Sequence, residues 1–81
     1  MQENIKIVLE SVKDICKEIF NKPIEANSRL FNLGANSLTV IRFLWKIETQ
    51  FGRDVITPHD VYSNDDINNI SFKIAEAISN E

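Results

Sequence analysis

Apolar residues recur at alternating intervals of three and four near the start of this chain, and this spacing restricts what the segment can form. The stripe comprises Ile5, Val8, Val12, Ile15 and Ile19, widened by Leu9, Cys16 and Phe20. Because an α-helix has about 3.6 residues per turn, these side chains share one face, and we predict an amphipathic helix from about Glu3 to Phe20. Similar spacing predicts helices from Ser37 to about Phe51 and from Ile67 to about Ser79. The sequence has no strand-like alternation, so we expect an all-α fold.

Prolines and glycines mark the ends of the predicted helices. Asn21-Lys22-Pro23 ends the first helix, since the residue before a proline is pushed out of the α region, and Gly52 ends the second. Thr57-Pro58-His59-Asp60 combines a capping residue, a proline at the first helical position and an acid in the first turn. It predicts a short helix that carries Val61 and Tyr62 to the core. Three longer helices, one short helix and a long first loop make a small irregular four-helix bundle.

A long connection runs from about Asn21 to Asn36 and exceeds the usual length of a helix–helix link. It carries three large apolar residues, Leu30, Phe31 and Leu33, which we expect to lie over the core. The connection is therefore either functional or packed as part of the structure.

The second helix carries two apolar groups. At about 100° per residue, the group that faces the core comprises Val40, Leu44, Ile47 and Phe51, flanked by Phe43. The other group comprises Leu38, Ile41 and Trp45 and lies beside Ser37. We expect Leu38 and Trp45 to be exposed, with the Trp45 N–H toward water, whereas Ile41 is either covered by the long loop or exposed. An apolar group of this kind beside Ser37 is either covered by the long loop or available for binding a partner.

A glycine and a serine stand three positions apart where the second helix begins. Gly34 can adopt a positive φ, and Ser37 opens the apolar-periodic run. Backbone N–H groups lack intrahelical partners there, so a phosphate on the serine oxygen would lie among free donors at the positive end of the helix dipole. Two interpretations remain open: Ser37 is an attachment point for a phosphodiester-linked group, or it is an ordinary helix cap.

Composition and charge exclude several functions. One cysteine and one histidine are too few for a Cys/His metal site or a disulfide framework, and we expect Cys16 to be buried and His59 to lie on the surface. A net charge of −3 without a basic patch argues against nucleic acid. No apolar run approaches the roughly 20 residues of a membrane span, and the N-terminus has no signal-peptide pattern. We therefore expect a cytoplasmic monomer that binds no membrane, with no catalytic residue.

Several of these features together resemble the phosphopantetheine attachment region of the acyl and peptidyl carrier proteins. The residues that carry the resemblance are Phe31-Asn32-Leu33-Gly34-Ala35-Asn36-Ser37-Leu38, Ile41-Arg42, Ile47, Phe51-Gly52, Val61-Tyr62 and Asp66-Ile67. The resemblance covers nearly the whole chain and implies a single carrier domain, residues 1–81, that is not an enzyme. It implies that a phosphopantetheinyl transferase moves 4′-phosphopantetheine from coenzyme A onto Ser37. The thiol of that arm would hold an aminoacyl, peptidyl or acyl group as a thioester for partner enzymes.

Two departures from the family pattern bear on the branch of the family. Asn36 stands where fatty-acid carriers have Asp and peptidyl carriers commonly have His or Asp, and Arg42 stands where fatty-acid carriers often have Glu. The resemblance therefore favours a thiolation domain of nonribosomal peptide or hybrid peptide–polyketide synthesis, served by adenylation and condensation enzymes, over a type II acyl carrier. The expected docking residues are Leu38, Ile41, Trp45 and Asn36. The remaining alternative is an unmodified helical interaction module in which Ser37 only caps its helix.

Overall fold

Four α-helices make up most of the protein. The computed structural model describes residues 2–79, and its helices are α1 Gln2–Phe20, α2 Ser37–Phe51, α3 Pro58–Ser63 and α4 Ile67–Ser79. A 3₁₀ turn, Phe31–Leu33, interrupts the long first loop. Within the described range the chain forms no strand, only an isolated bridge between Arg29 and Asp66. The predicted all-α bundle, with three longer helices, one short helix and a long first loop, is confirmed.

The core lies where α1 packs against α2 and α4. Its completely buried side chains include Val12, Cys16, Phe43, Ile47, Val61, Ile67, Ile70 and Ile74. Burial raises the pKa of the Cys16 thiol to about 12, so Cys16 is the buried residue that its place in the apolar stripe predicts. Phe43, expected at the edge of the core face of α2, lies at its centre, whereas Leu44 and Phe51 are only half-buried.

The long first loop is packed as part of the structure. Leu30 is 1% exposed, and its backbone N–H donates to the Asp65 carbonyl at 3.1 Å. The Asp65 carboxylate accepts hydrogen bonds from the Phe31 N–H at 2.9 Å and from Arg29 Nη1 at 3.0 Å. These bonds join the middle of the loop to the residues that precede α4, and they fix the path of the chain toward α2.

Two aromatic residues that were expected against the core lie on the surface instead. Phe31 is 39% exposed and Tyr62 is 54% exposed. Their rings stack on each other with centroids 5.4 Å apart and an interplanar angle of 28°. Leu30, which precedes the 3₁₀ turn, and Val61 in α3 are buried. At each place the next side chain along the chain points outward instead. The prediction that Phe31 and Tyr62 pack against the core was therefore wrong.

Candidate functional site

The chain enters α2 through a turn that requires glycine. Gly34 has a φ of +102°, which is a left-handed conformation that strains residues with a side chain. Its N–H donates to the Phe31 carbonyl at 3.3 Å, and the N–H of Ala35 donates to the Leu30 carbonyl at 3.1 Å. Because Leu30 is buried in the core, these bonds fix the turn and with it the first residues of α2.

Asn36, not Ser37, is the N-cap of α2. Asn36 Oδ1 accepts from the Thr39 N–H at 3.0 Å, and Thr39 Oγ1 accepts from the Asn36 N–H at 2.8 Å. These reciprocal bonds form a capping box. The interpretation of Ser37 as the helix cap is therefore wrong, because Ser37 is already the first helical residue and its hydroxyl lies outside the box. The sequence signal for this cap is the spacing Asn-x-x-Thr.

Ser37 is exposed at the first position of α2. The N–H groups of Thr39 and Val40 donate to Asn36, whereas those of Ser37 and Leu38 find no acceptor among residues 2–79. A phosphate joined to the Ser37 oxygen would lie beside these unused donors and the positive end of the α2 dipole. An accessible hydroxyl and free donors fit a phosphodiester-linked group.

An apolar strip lies beside the serine on the exposed side of α2. The strip consists of Leu38, Ile41 and Trp45, which are 67%, 52% and 70% exposed. The exposure predicted for Leu38 and Trp45 is confirmed, and Ile41 is exposed rather than covered by the loop. Ile41 and Trp45 also line a groove of about 260 Å³ whose other wall belongs to the connection between α2 and α3. The fold thus places Asn36, Ser37 and the strip together in the first three turns of α2.

The sequence around the serine carries no acid, although Glu48 and Asp54 line the groove beside Ile41 and Trp45. The segment from residue 26 to residue 47 contains no Asp or Glu, although the whole chain has a net charge of −3. Two of its three cations are paired: Arg29 with Asp65 at 3.0 Å and Lys46 with Glu18 at 2.7 Å. The hydrogen bond and charge of Lys46, with a smaller contribution from Arg42, lower the pKa of Glu18. Arg42 itself is exposed.

The other polar groups singled out by the sequence lie away from this surface or do not cluster. His59 is exposed on α3, as expected, and its Nε2 lies 3.3 Å from the Ser63 Oγ one turn along the helix. In the part of the chain that the structure describes, no three His, Cys, Asp or Glu side chains group as metal ligands would. None of the described helices has the length and apolar content that crossing a membrane requires.

Comparison with known protein families gives a match over most of the chain. A family model described as a phosphopantetheine attachment site matches residues 10–71, a range that includes α2, Ser37 and the apolar strip. Searches of curated proteins and of solved structures gave no significant match.

Proposed function

The chain belongs to the phosphopantetheine attachment family, whose members carry covalently attached 4′-phosphopantetheine, and we propose that Ser37 is the residue that carries the arm. The observation behind this assignment is that α2 begins with an exposed serine while Asn36 supplies the helix cap. The Ser37 hydroxyl can therefore form a phosphodiester without loss of the cap. In this proposal residues 1–81 act as a single carrier domain and not as an enzyme.

Ser37 supplies an alcohol, and the modifying transferase supplies the rest of the chemistry. Its Oγ forms the new bond to phosphorus while 3′,5′-ADP leaves coenzyme A, and the hydroxyl proton passes to a base of the transferase. The free N–H groups of Ser37 and Leu38 can donate to the phosphodiester, and the bonds between Asn36 and Thr39 hold the end of the helix. When bound, the arm supplies a thiol that holds the cargo as a thioester.

Within the family, we propose a thiolation domain of nonribosomal peptide or hybrid peptide–polyketide synthesis, acting in the cytoplasm with adenylation and condensation enzymes. The absence of acidic residues from 26 to 47 and the exposure of Arg42 support this branch. Glu48 is the single acid of α2, so a partner that recognises its carrier through basic residues would gain little Coulomb attraction along this helix. The alternative is a type II acyl carrier for fatty acid or polyketide synthesis.

We further propose that partner enzymes dock on the apolar strip, with Asn36 at its edge. Trp45 is the largest exposed side chain of the strip, and truncated aromatic anchors at interfaces commonly cost more than about 1 kcal/mol of binding. Trp45→Ala is therefore expected to lower the kcat/KM of a partner enzyme about tenfold, with little change in Tm. The matched control is Phe72→Ala, since Phe72 is an exposed aromatic on α4. Partner kinetics that Trp45→Ala leaves unchanged would refute the docking role of the strip.

Incubation with coenzyme A and a promiscuous phosphopantetheinyl transferase tests the proposal. Intact-mass analysis is expected to show one added phosphopantetheine on the wild type and none on Ser37→Ala. If the folded wild type stays unmodified, the assignment of Ser37 as the attachment residue is refuted. Loading of the modified protein by an amino-acid adenylating enzyme would support the thiolation branch, and loading only by a malonyl transferase would refute it.

A further inference from the structure

Lys22 contacts the turn that precedes Ser37. Its Nζ donates to the Leu33 carbonyl at 2.9 Å, across eleven positions of sequence. The same Nζ lies 3.8 Å from the position that a Cβ on Gly34 would occupy, and no other group outside the neighbouring residues comes within 4 Å of that point. Leu33 ends the 3₁₀ turn and Gly34 takes the left-handed conformation, so the Lys22 ammonium covers the bend through which the chain reaches α2.

The backbone at Lys22 is held on both sides. Asn21 has a φ of +53°, and its N–H donates to the Lys17 carbonyl at 2.8 Å, which ends α1 in a defined direction. Pro23 follows with a fixed φ, and Ile24 is 6% exposed. The Lys22 side chain therefore extends toward Leu33 from a fixed point.

The Lys22 ammonium forms no ion pair with a described carboxylate. None of the four ion pairs between described residues includes it, and its hydrogen bond goes to a backbone carbonyl. A cation bound to a carbonyl is a charge-assisted hydrogen bond, which is stronger than a neutral one. The contact thus links the end of α1 to the turn that precedes Ser37.

We propose that Lys22 is a positioning residue for the modification of Ser37, because it holds the turn at Leu33 and Gly34 in the conformation that a transferase binds. This inference rests on the proposed function. The N–H bonds of Gly34 and Ala35 also hold this turn, so loss of the Lys22 hydrogen bond would let the turn open more often without abolishing it. An enzyme that binds only the closed turn would then meet a smaller competent fraction. The apparent KM for the carrier then rises in inverse proportion to that fraction, while kcat is unchanged because the bound conformation is the same.

The test compares Lys22→Met, which keeps most of the aliphatic stem but removes the donor and the charge, with Lys22→Arg, which keeps both. Lys17→Met is the matched control, since it removes an exposed lysine from the last turn of α1. With a transferase and coenzyme A, Lys22→Met is expected to raise the KM for the carrier about three- to tenfold. The kcat and the KM for coenzyme A should stay at wild-type values, and Lys22→Arg should restore most of the loss.

Amide hydrogen exchange gives a readout that does not depend on modification. Lys22→Met is expected to speed exchange at Gly34 and Ala35, whose N–H groups hold the turn, and to leave the Ile70 amide in α4 unchanged. The inference would be overturned if Lys22→Met changed neither the exchange rates nor the KM for the carrier. It would also be overturned if only the KM for coenzyme A rose, because that result would indicate direct contact between Lys22 and the phosphates of coenzyme A. A wild type that is never modified would contradict the proposed function, whereas a modified wild type with kinetically silent Lys22 variants would contradict only the role of Lys22.

Discussion

Replacement of Asn36 and Ser37 one at a time should separate the stability of α2 from its modification. Asn36→Ala removes the Oδ1 atom that accepts from the Thr39 N–H at 3.0 Å, and loss of an N-cap side chain costs about 0.5–2 kcal/mol. Ser37→Ala removes an exposed hydroxyl outside the capping box, and such surface changes stay within about 0.5 kcal/mol. Alanine is also a good helix former at this position.

These free energies correspond to measurable shifts in Tm. For a domain of this size about 1 kcal/mol shifts Tm by about 4–8 °C. A typical cap loss of about 1 kcal/mol in Asn36→Ala should therefore lower Tm by about 4–8 °C, and Ser37→Ala should lower it by less than about 4 °C. Far-UV circular dichroism during heating measures both. Intact-mass analysis after treatment with a transferase should give the opposite order, with modification abolished in Ser37→Ala and retained in Asn36→Ala.

Asn36→Asp provides the control for this pair. It keeps an acceptor for the Thr39 N–H and adds a negative charge at the positive end of the α2 dipole, so its Tm should equal or exceed that of the wild type. If Ser37→Ala destabilises the protein as much as Asn36→Ala, the assignment of the cap is wrong. If Ser37→Ala is still modified, the attachment site is wrong.

Three further predictions concern the fold. Asp65→Asn weakens the bonds that Asp65 accepts from Arg29 and Phe31, and urea unfolding should show a loss of about 1–3 kcal/mol. The pKa of Asp60 is lowered, chiefly because its carboxylate accepts a backbone hydrogen bond from Thr57. The ionised carboxylate therefore stabilises the fold fully above the unfolded-state pKa of about 3.9, and this stabilisation is lost as pH falls through the lower native pKa. The difference in Tm between wild type and Asp60→Asn should accordingly be constant near neutral pH and shrink below about pH 4. Burial of Cys16, with a pKa of about 12, should make its alkylation slow in the native protein and fast in denaturant.

The helices could be predicted closely from the sequence. The first was expected from about Glu3 and begins at Gln2, and the second and fourth begin and end where predicted. Their apolar periodicity is long enough to determine both the phase and the extent of each helix. The capping box at Thr57 and Asp60 likewise forms as the local sequence predicts, because all of its atoms lie within one turn.

The parts that could not be predicted depend on contacts between distant residues. Asp65 binds Phe31 and Arg29 across more than thirty positions, and no local pattern marks that bond. Tyr62 lies on a six-residue helix, which is too short for its periodicity to define a buried face, so its stacking on Phe31 follows only from the tertiary fold. The position of the α2 cap differs from the expectation by a single residue, because several residue types in Gly-Ala-Asn-Ser can serve as a cap.

The cap of α2 is Asn36, and the proposed attachment residue is the next one along the chain, Ser37. If the serine were the cap, esterification of its oxygen would remove an acceptor from the first turn of α2 and cost about 0.5–2 kcal/mol. A chain of 81 residues is near the small end of domains that fold alone and has little stability to lose. Because Asn36 binds the Thr39 N–H, the proposed arm can be added at Ser37 while the helix keeps its cap. The exposed apolar strip lies on the same turns of α2 as Ser37, so in this proposal one surface would serve both the enzymes that add the arm and those that act on its cargo.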